Sequence, residues 1–229
     1  MRIVYSGGPT FAAQSVARPQ NKVDAQDVFS PQQLLATHRA GGGDGKTPPG
    51  LMTLRALHRQ FPNLGYHGSR VQHIAVLEPR QAKWRDKGGK LLLDGAPAVF
   101  VASDYRAAVF LALREGYGRL AAYYIDNQDG ALIIMWDVTP DEWHSLKRSN
   151  HQGAVYIVNP HGLTVHRVVP EGAKRDNFVD HQKILEFRSS KPLSPMGEVT
   201  VTMQDFLYMV KTDPMIRLVD GKGQPLDPT

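Results

Sequence analysis

Tyr66-His67-Gly68-Ser69-Arg70 sets an imidazole beside a glycine and a hydroxyl at the end of a short apolar run that begins at Leu64. A glycine after a histidine on a strand lets another group come close to the backbone, because no Cβ stands in the way. Downstream, Ile74-Ala75-Val76-Leu77-Glu78-Pro79-Arg80 is followed by Ala98-Val99-Phe100-Val101-Ala102, a β-type run ending at a Ser103-Asp104 helix cap. Ile184-Leu185-Glu186-Phe187-Arg188 is a late strand with one acid between apolar neighbours. These three segments carry the candidate chemistry, and the rest of the chain is read around them.

Further strands are expected at Gly65–Gly68, Ala131–Trp136, Ala154–Val158, Thr164–Val169 and Glu198–Thr202. Helices are expected at Asp104–Arg114, Pro140–Lys147 and Met203–Lys211, each entered through Ser, Asp or Thr. Strands outnumber helices and do not alternate regularly with them, which predicts an α+β fold over a doubly wound parallel sheet. Three regions follow: an extension over 1–63, helical and rich in Gly and Pro; a core domain over 64–219; and a flexible tail over 220–229. Within the extension, Ser30-Pro31 predicts a helix to about Arg39 and Leu51–Gln60 a second one, ended by Phe61-Pro62.

The composition excludes several classes. None of the 229 residues is cysteine, which removes disulfides, thiolate metal sites and a cysteine nucleophile. No apolar stretch approaches the roughly 20 residues needed to span a bilayer, and the N-terminus has no signal-peptide core. A cytoplasmic protein without membrane partners is expected. His151, His161, His166 and His181 have no ligand-like spacing, so no metal is expected. Ala40–Thr47 fits a loose phosphate-loop pattern, but a polar helix precedes it and Pro48-Pro49-Gly50 prevents a helix from running on from Lys46. Nucleotide hydrolysis is rejected on that context.

Taken together, Tyr66-His67-Gly68-Ser69, Phe100-Val101-Ala102-Ser103 and Glu186 resemble the ADP-ribosyltransferase fold of the poly(ADP-ribose)-polymerase-like, or diphtheria-toxin-like, group. The resemblance runs over about Leu64–Leu207. It implies a split β-sheet core and NAD as co-substrate, with nicotinamide released and ADP-ribose transferred. It further implies that His67 positions the ribose and that Gly68 and Ser69, next to Tyr66, hold the carboxamide and ribose. Phe100, at a position usually held by Tyr, and Tyr105 or Phe110 wall the nicotinamide. On the same resemblance Glu186 would be the catalytic carboxylate, with Glu198 as the alternative. Arg70 and Arg80 are the cations near the pyrophosphate.

The excess of 27 Lys and Arg over 22 Asp and Glu, a net +5, favours anionic partners. The most basic run is Arg80-Gln81-Ala82-Lys83-Trp84-Arg85-Asp86-Lys87-Gly88-Gly89-Lys90. Lys83, Trp84, Arg85 and Lys87 are its candidate nucleic-acid contacts, by phosphate pairing and base stacking. The same run also reads as a solvated loop, the reading its pattern favours. Three functions stay open: mono-ADP-ribosyl transfer to a nucleic-acid or protein acceptor; cleavage of a nucleoside or nucleic-acid N-glycosidic bond without NAD; and nucleic-acid binding without catalysis.

Overall fold

A computed structural model describes Gln33, Leu35 and residues 47–85, 91–114, 121–126, 129–166 and 186–229. The protein is mixed α+β, with four helices among the described elements and a mostly antiparallel sheet. The chain runs α1 (Pro49–Gln60), β1 (Gly65–Ser69), β2 (Arg80–Arg85), β3 (Leu91–Ala102), α2 (Tyr105–Leu113), β4 (Ala121–Ile125) and β5 (Leu132–Trp136). It continues α3 (Pro140–Lys147), β6 (Gln152–Val158), β7 (Thr164–His166), β8 (Glu186–Ser189), β9 (Gly197–Thr202), α4 (Met203–Thr212) and β10 (Ile216–Val219).

Seven strands form the main sheet in the order β7-β8-β3-β1-β6-β9, with β2 paired to the first half of β3. Each pairing in it is antiparallel. A smaller sheet, β10-β5-β4, joins the C-terminal strand parallel to β5.

The main sheet separates two apolar clusters. On one face α1, α2 and α4 bury Leu51, Leu54, Leu57, Phe110, Phe206 and Met209 against Tyr66, Val155, Ile157 and Val201. On the other, Leu77, Val99, Val101, Ala154, Tyr156 and Val158 form a smaller cluster with Ile74, Leu163, Phe187 and Leu193 against it. The two connecting segments over that face are tied by reciprocal Leu77–Leu193 backbone hydrogen bonds of 2.8 and 3.0 Å. Successive strand residues point to opposite faces, so this two-sided burial explains why the central strands are apolar on both sides.

Local chemistry sets the helix boundaries. Asp104 caps α2 by accepting the Arg106 N–H at 2.9 Å. Thr139 and Glu142 form a capping box on α3, and Thr202 and Asp205 form one on α4. Asp205 does more than cap: its Oδ1 also accepts the Leu51 N–H of α1 at 3.1 Å, joining the first turns of two helices 154 residues apart.

Several expectations need correction. α1, which the sequence placed in an N-terminal extension over 1–63, packs into the core: Leu51, Leu54 and Leu57 are fully buried in the main cluster. Of the earlier predicted helix only Gln33 and Leu35 are described; both are helical, and Leu35 packs by Gly197. The phosphate-loop stretch lies outside the described residues except Thr47. The run from Arg80 is not a loop: through Arg85 it is strand β2, in a ribbon with β3. Its register shifts between Arg80 and Ala82, opposite Gly95 at φ +64°, a β-bulge that needs glycine. Residues 220–229, expected as a flexible tail, fold back. Leu226 N–H bonds Leu218 O at 3.0 Å, and the Trp143 indole donates to Asp227 O at 2.8 Å.

Candidate functional site

The three motif segments, far apart in sequence, occupy adjacent strands. β8 pairs with β3 (Glu186 opposite Ala102, Arg188 opposite Phe100), and β3 meets β1 at the pair Tyr66–Ala102. Beyond that pair, at His67, a side chain takes over the link: Nδ1 lies 2.7 Å from Phe100 O. A carbonyl oxygen only accepts, so Nδ1 carries the proton and Nε2 of the neutral ring is an acceptor. His67 is held below its ordinary value of 6.5, mainly by burial, with Arg80 adding to the shift and the Phe100 bond opposing it. The neutral tautomer is therefore the resting form at neutral pH.

Phe100 is half-buried, and the Arg188 guanidinium lies over its ring at 4.6 Å. Arg188 Nε in turn donates to Glu186 Oε1 at 2.8 Å. Glu186 opens β8 and is 8% exposed. A continuous contact chain thus links His67, Phe100, Arg188 and Glu186. His67 itself bonds Phe100 and not Glu186. The registers put Glu186 in the row of Tyr66 and Ala102, and His67 in the row of Tyr156 and Glu198. By alternation the two side chains leave the sheet on opposite faces.

The remaining expected residues divide. Tyr66 is fully buried on the helix side, its hydroxyl 3.4 Å from His58 Nδ1. Gly68 is a packing glycine: a Cβ there would stand 2.1 Å from Ala108 O and 2.7 Å from Ala112 N, both backbone atoms of α2. The group that approaches this glycine is a helix, which takes one side of its backbone away from any ligand. Ser69 Oγ accepts the Val71 N–H at 3.1 Å. Arg80 is exposed and close enough to His67 to act on its titration.

Neither proposed second ring stands opposite Phe100. Phe110 is fully buried, edge-on to Trp136 at 5.3 Å and beside Phe206, so its place is the core. Tyr105 belongs to a different aromatic group, 5.4 Å from His58 and 6.2 Å from Tyr66. Arg188, two residues after Glu186 on the same strand face, is the neighbour that sequence reasoning missed. That i, i+2 spacing was the available signal.

Glu198, the alternative acid, is engaged elsewhere. It binds the His73 ring at 2.6 Å and its N–H at 2.9 Å, while Tyr156 OH accepts Ile74 N–H and donates to Val71 O. His73 has φ 60°, so these bonds hold a strained turn over the second face. Lys83, Trp84 and Arg85 lie on β2 opposite Leu93, Leu92 and Leu91; Lys87 and the His181 position lie outside the described residues.

Among the described residues no group of three or more His, Cys, Asp or Glu is placed to hold a metal, and no helix is long and apolar enough to cross a membrane. Compared with known proteins, the chain matches no family model, no curated protein and no solved structure.

Proposed function

We propose that the protein is a mono-ADP-ribosyltransferase that cleaves the nicotinamide–ribose bond of NAD and passes ADP-ribose to a nucleic-acid or protein acceptor. One observation carries this reading. The His-Gly-Ser, Phe-Val-Ala-Ser and late-Glu segments share three adjacent strands, with His67, Phe100, Arg188 and Glu186 in one contact chain.

Cleavage of an N-glycosidic bond builds positive charge on the ribose as the base departs, and a fixed carboxylate nearby lowers that barrier. Glu186 supplies the carboxylate, and its bond to Arg188 fixes its orientation. His67, with Nδ1 committed to Phe100 O, keeps Nε2 as an acceptor for a ribose hydroxyl. Because this ring leaves the sheet on the face opposite Glu186, the ribose has to lie at the β1–β3 junction, where the two strands share only the Tyr66–Ala102 pair. Phe100 contributes a half-buried ring beside Arg188, and exposed Arg80 is the cation assigned to the diphosphate in this reading. The bond from ribose C1′ to nicotinamide breaks, the bond to the acceptor nucleophile forms, and the acceptor loses its proton. The acceptor class rests on the net charge of +5 and on the basic β2 strand.

The test is nicotinamide release from NAD by wild type and Glu186→Gln, with and without DNA, RNA or protein acceptors. Acceptor-dependent release lost in the variant is expected. An absence of release from folded wild-type protein with all acceptors overturns the proposal.

A further inference from the structure

A cleft of about 400 Å3 opens between the second half of α1, the first turn of α2 and the end of α4, lined by Arg55, His58, Arg59, Tyr105, Thr212 and Asp213. We propose that this cleft binds a phosphate-bearing small molecule through Arg55 and Arg59. It is separate from the junction of β1, β3 and β8, and of the residues assigned to NAD only Tyr105 borders it.

The case begins with the arginine pair. Positions i and i+4 of a helix lie on one face, about 5–6 Å apart at Cβ, so Arg55 and Arg59 present two guanidiniums to the same opening. Arg55 is held in place: Nη2 donates to Thr212 Oγ1 at 3.2 Å, the Tyr105 hydroxyl is a hydrogen-bond partner, and the Tyr208 ring lies 5.9 Å below. A guanidinium has five N–H donors in a rigid fork, and these contacts use only part of them. Arg59 stands exposed at the rim. Burial keeps the Tyr105 phenol above its ordinary titration range, so it is a neutral donor.

Charge decides between an anion and a cation as ligand. Asp213 is the one carboxylate in the lining, and both its oxygens are occupied. Arg106 Nη1 bonds Oδ2 at 3.1 Å, and the Met215 N–H bonds Oδ1 at 2.9 Å. Arg106 is also forked onto Asp104, so those three residues form a closed network. The C-terminal carbonyls of α1 and α4 together contribute roughly one negative charge, less than the two guanidiniums supply. A tetrahedral, multiply charged oxyanion matches this donor set better than a single carboxylate does. The volume lies within the range of small-ligand clefts, about 300–1,000 Å3, with room for an organic group beyond the phosphate.

The test titrates the full chain with inorganic pyrophosphate and with AMP by calorimetry and 31P NMR, using no NAD, so its failure is independent of failure of the transferase reading. Saturable binding of pyrophosphate is expected, weakened about tenfold in Arg59→Gln, the loss of one charge-assisted hydrogen bond. Arg217→Gln, a remote exposed arginine paired with Asp126 and Asp129, is expected to bind as wild type. AMP binding tighter than pyrophosphate identifies a nucleotide as the ligand class; AMP and pyrophosphate binding alike identifies recognition of phosphate alone. Absence of saturable binding to wild type overturns the proposal, as does equal weakening by Arg59→Gln and Arg217→Gln.

Discussion

Replacing Gly68 by alanine asks whether the glycine of the His-Gly-Ser segment serves a ligand or a helix. The new Cβ would stand 2.1 Å from Ala108 O, about 1.3 Å short of the 3.4 Å at which ordinary contact begins. It would also stand 2.7 Å from Ala112 N. Both atoms are helix backbone, so no side chain can rotate away. The whole of α2 has to move, and with it Phe110, whose ring is wedged against Trp136 and Phe206. Overpacking of this kind costs about 1–3 kcal/mol, and immovable neighbours put Gly68→Ala at the upper end, about 3 kcal/mol. For a domain of this size that corresponds to a fall in Tm of about 6–12 °C.

Gly153, on the neighbouring β6, faces the same helix, with Ala112 O 2.4 Å from its notional Cβ, and Gly153→Ala should behave alike. Gly162→Ala is the contrast. It has φ +79° but open space around it, so it should lose only the backbone strain, about 1 kcal/mol. Thermal and urea unfolding of the three variants provide the comparison. A Gly68→Ala protein melting within a degree or two of wild type would refute the close helix–strand approach and return this glycine to a ligand-facing role.

Asp205→Ala removes the carboxylate half of the α4 capping box, which accepts from Thr202 N–H and Oγ1–H, and leaves the Leu51 N–H without its acceptor, for a loss of about 2–4 kcal/mol measurable by denaturant titration. His67 and His151 are both held below 6.5 in the folded protein, chiefly by burial. Between those lowered values and 6.5 the unfolded chain binds more protons than the native one, so stability falls as pH drops through 6.5. His67→Gln should flatten part of that decline, and an unchanged slope between pH 7.5 and 5.5 would count against the assignment. Deleting residues 220–229 removes Leu226 from the core edge and uncovers Trp143, 6% exposed in the intact chain. A red-shifted tryptophan emission and a lower Tm should follow, and an unaltered spectrum would contradict the docking of this segment.

Strands with uninterrupted apolar character and helices with an explicit cap were legible in the sequence. β5, β6 and β9 fall where the Ala131–Trp136, Ala154–Val158 and Glu198–Thr202 runs predict, and α2, α3 and α4 are capped by Asp104, Thr139 and Thr202. β2, β4 and β10 were not. Arg80–Arg85 is rich in charge and becomes a strand through its pairing with β3, while Ile216–Val219 is four residues long and depends on a parallel partner over 80 residues earlier. The union of α1 with the core was hidden for the same reason, since a Leu51-Leu54-Leu57 stripe does not say what it will cover. His67, Phe100 and Glu186, whose strands the structure brings side by side, were singled out by motif. The guanidinium over Phe100 and the helix against Gly68 were not, because both are contacts between segments that sequence spacing does not relate.

The two ends of the described chain are each fastened far from their own neighbourhood. Leu51 depends on Asp205, and β5 gains its second partner only when β10 is in place. During synthesis, then, the α1 backbone waits for more than 150 further residues before it has its acceptor. The small sheet stays a two-stranded hairpin until Ile216–Val219 have been made. Long-range closures of this sort slow folding, because the entropy of ordering the intervening chain is lost before the contacts compensate for it. Premature stops between Trp136 and Ile216 leave Leu132–Trp136 with an open, apolar strand edge, which makes truncated products prone to self-association.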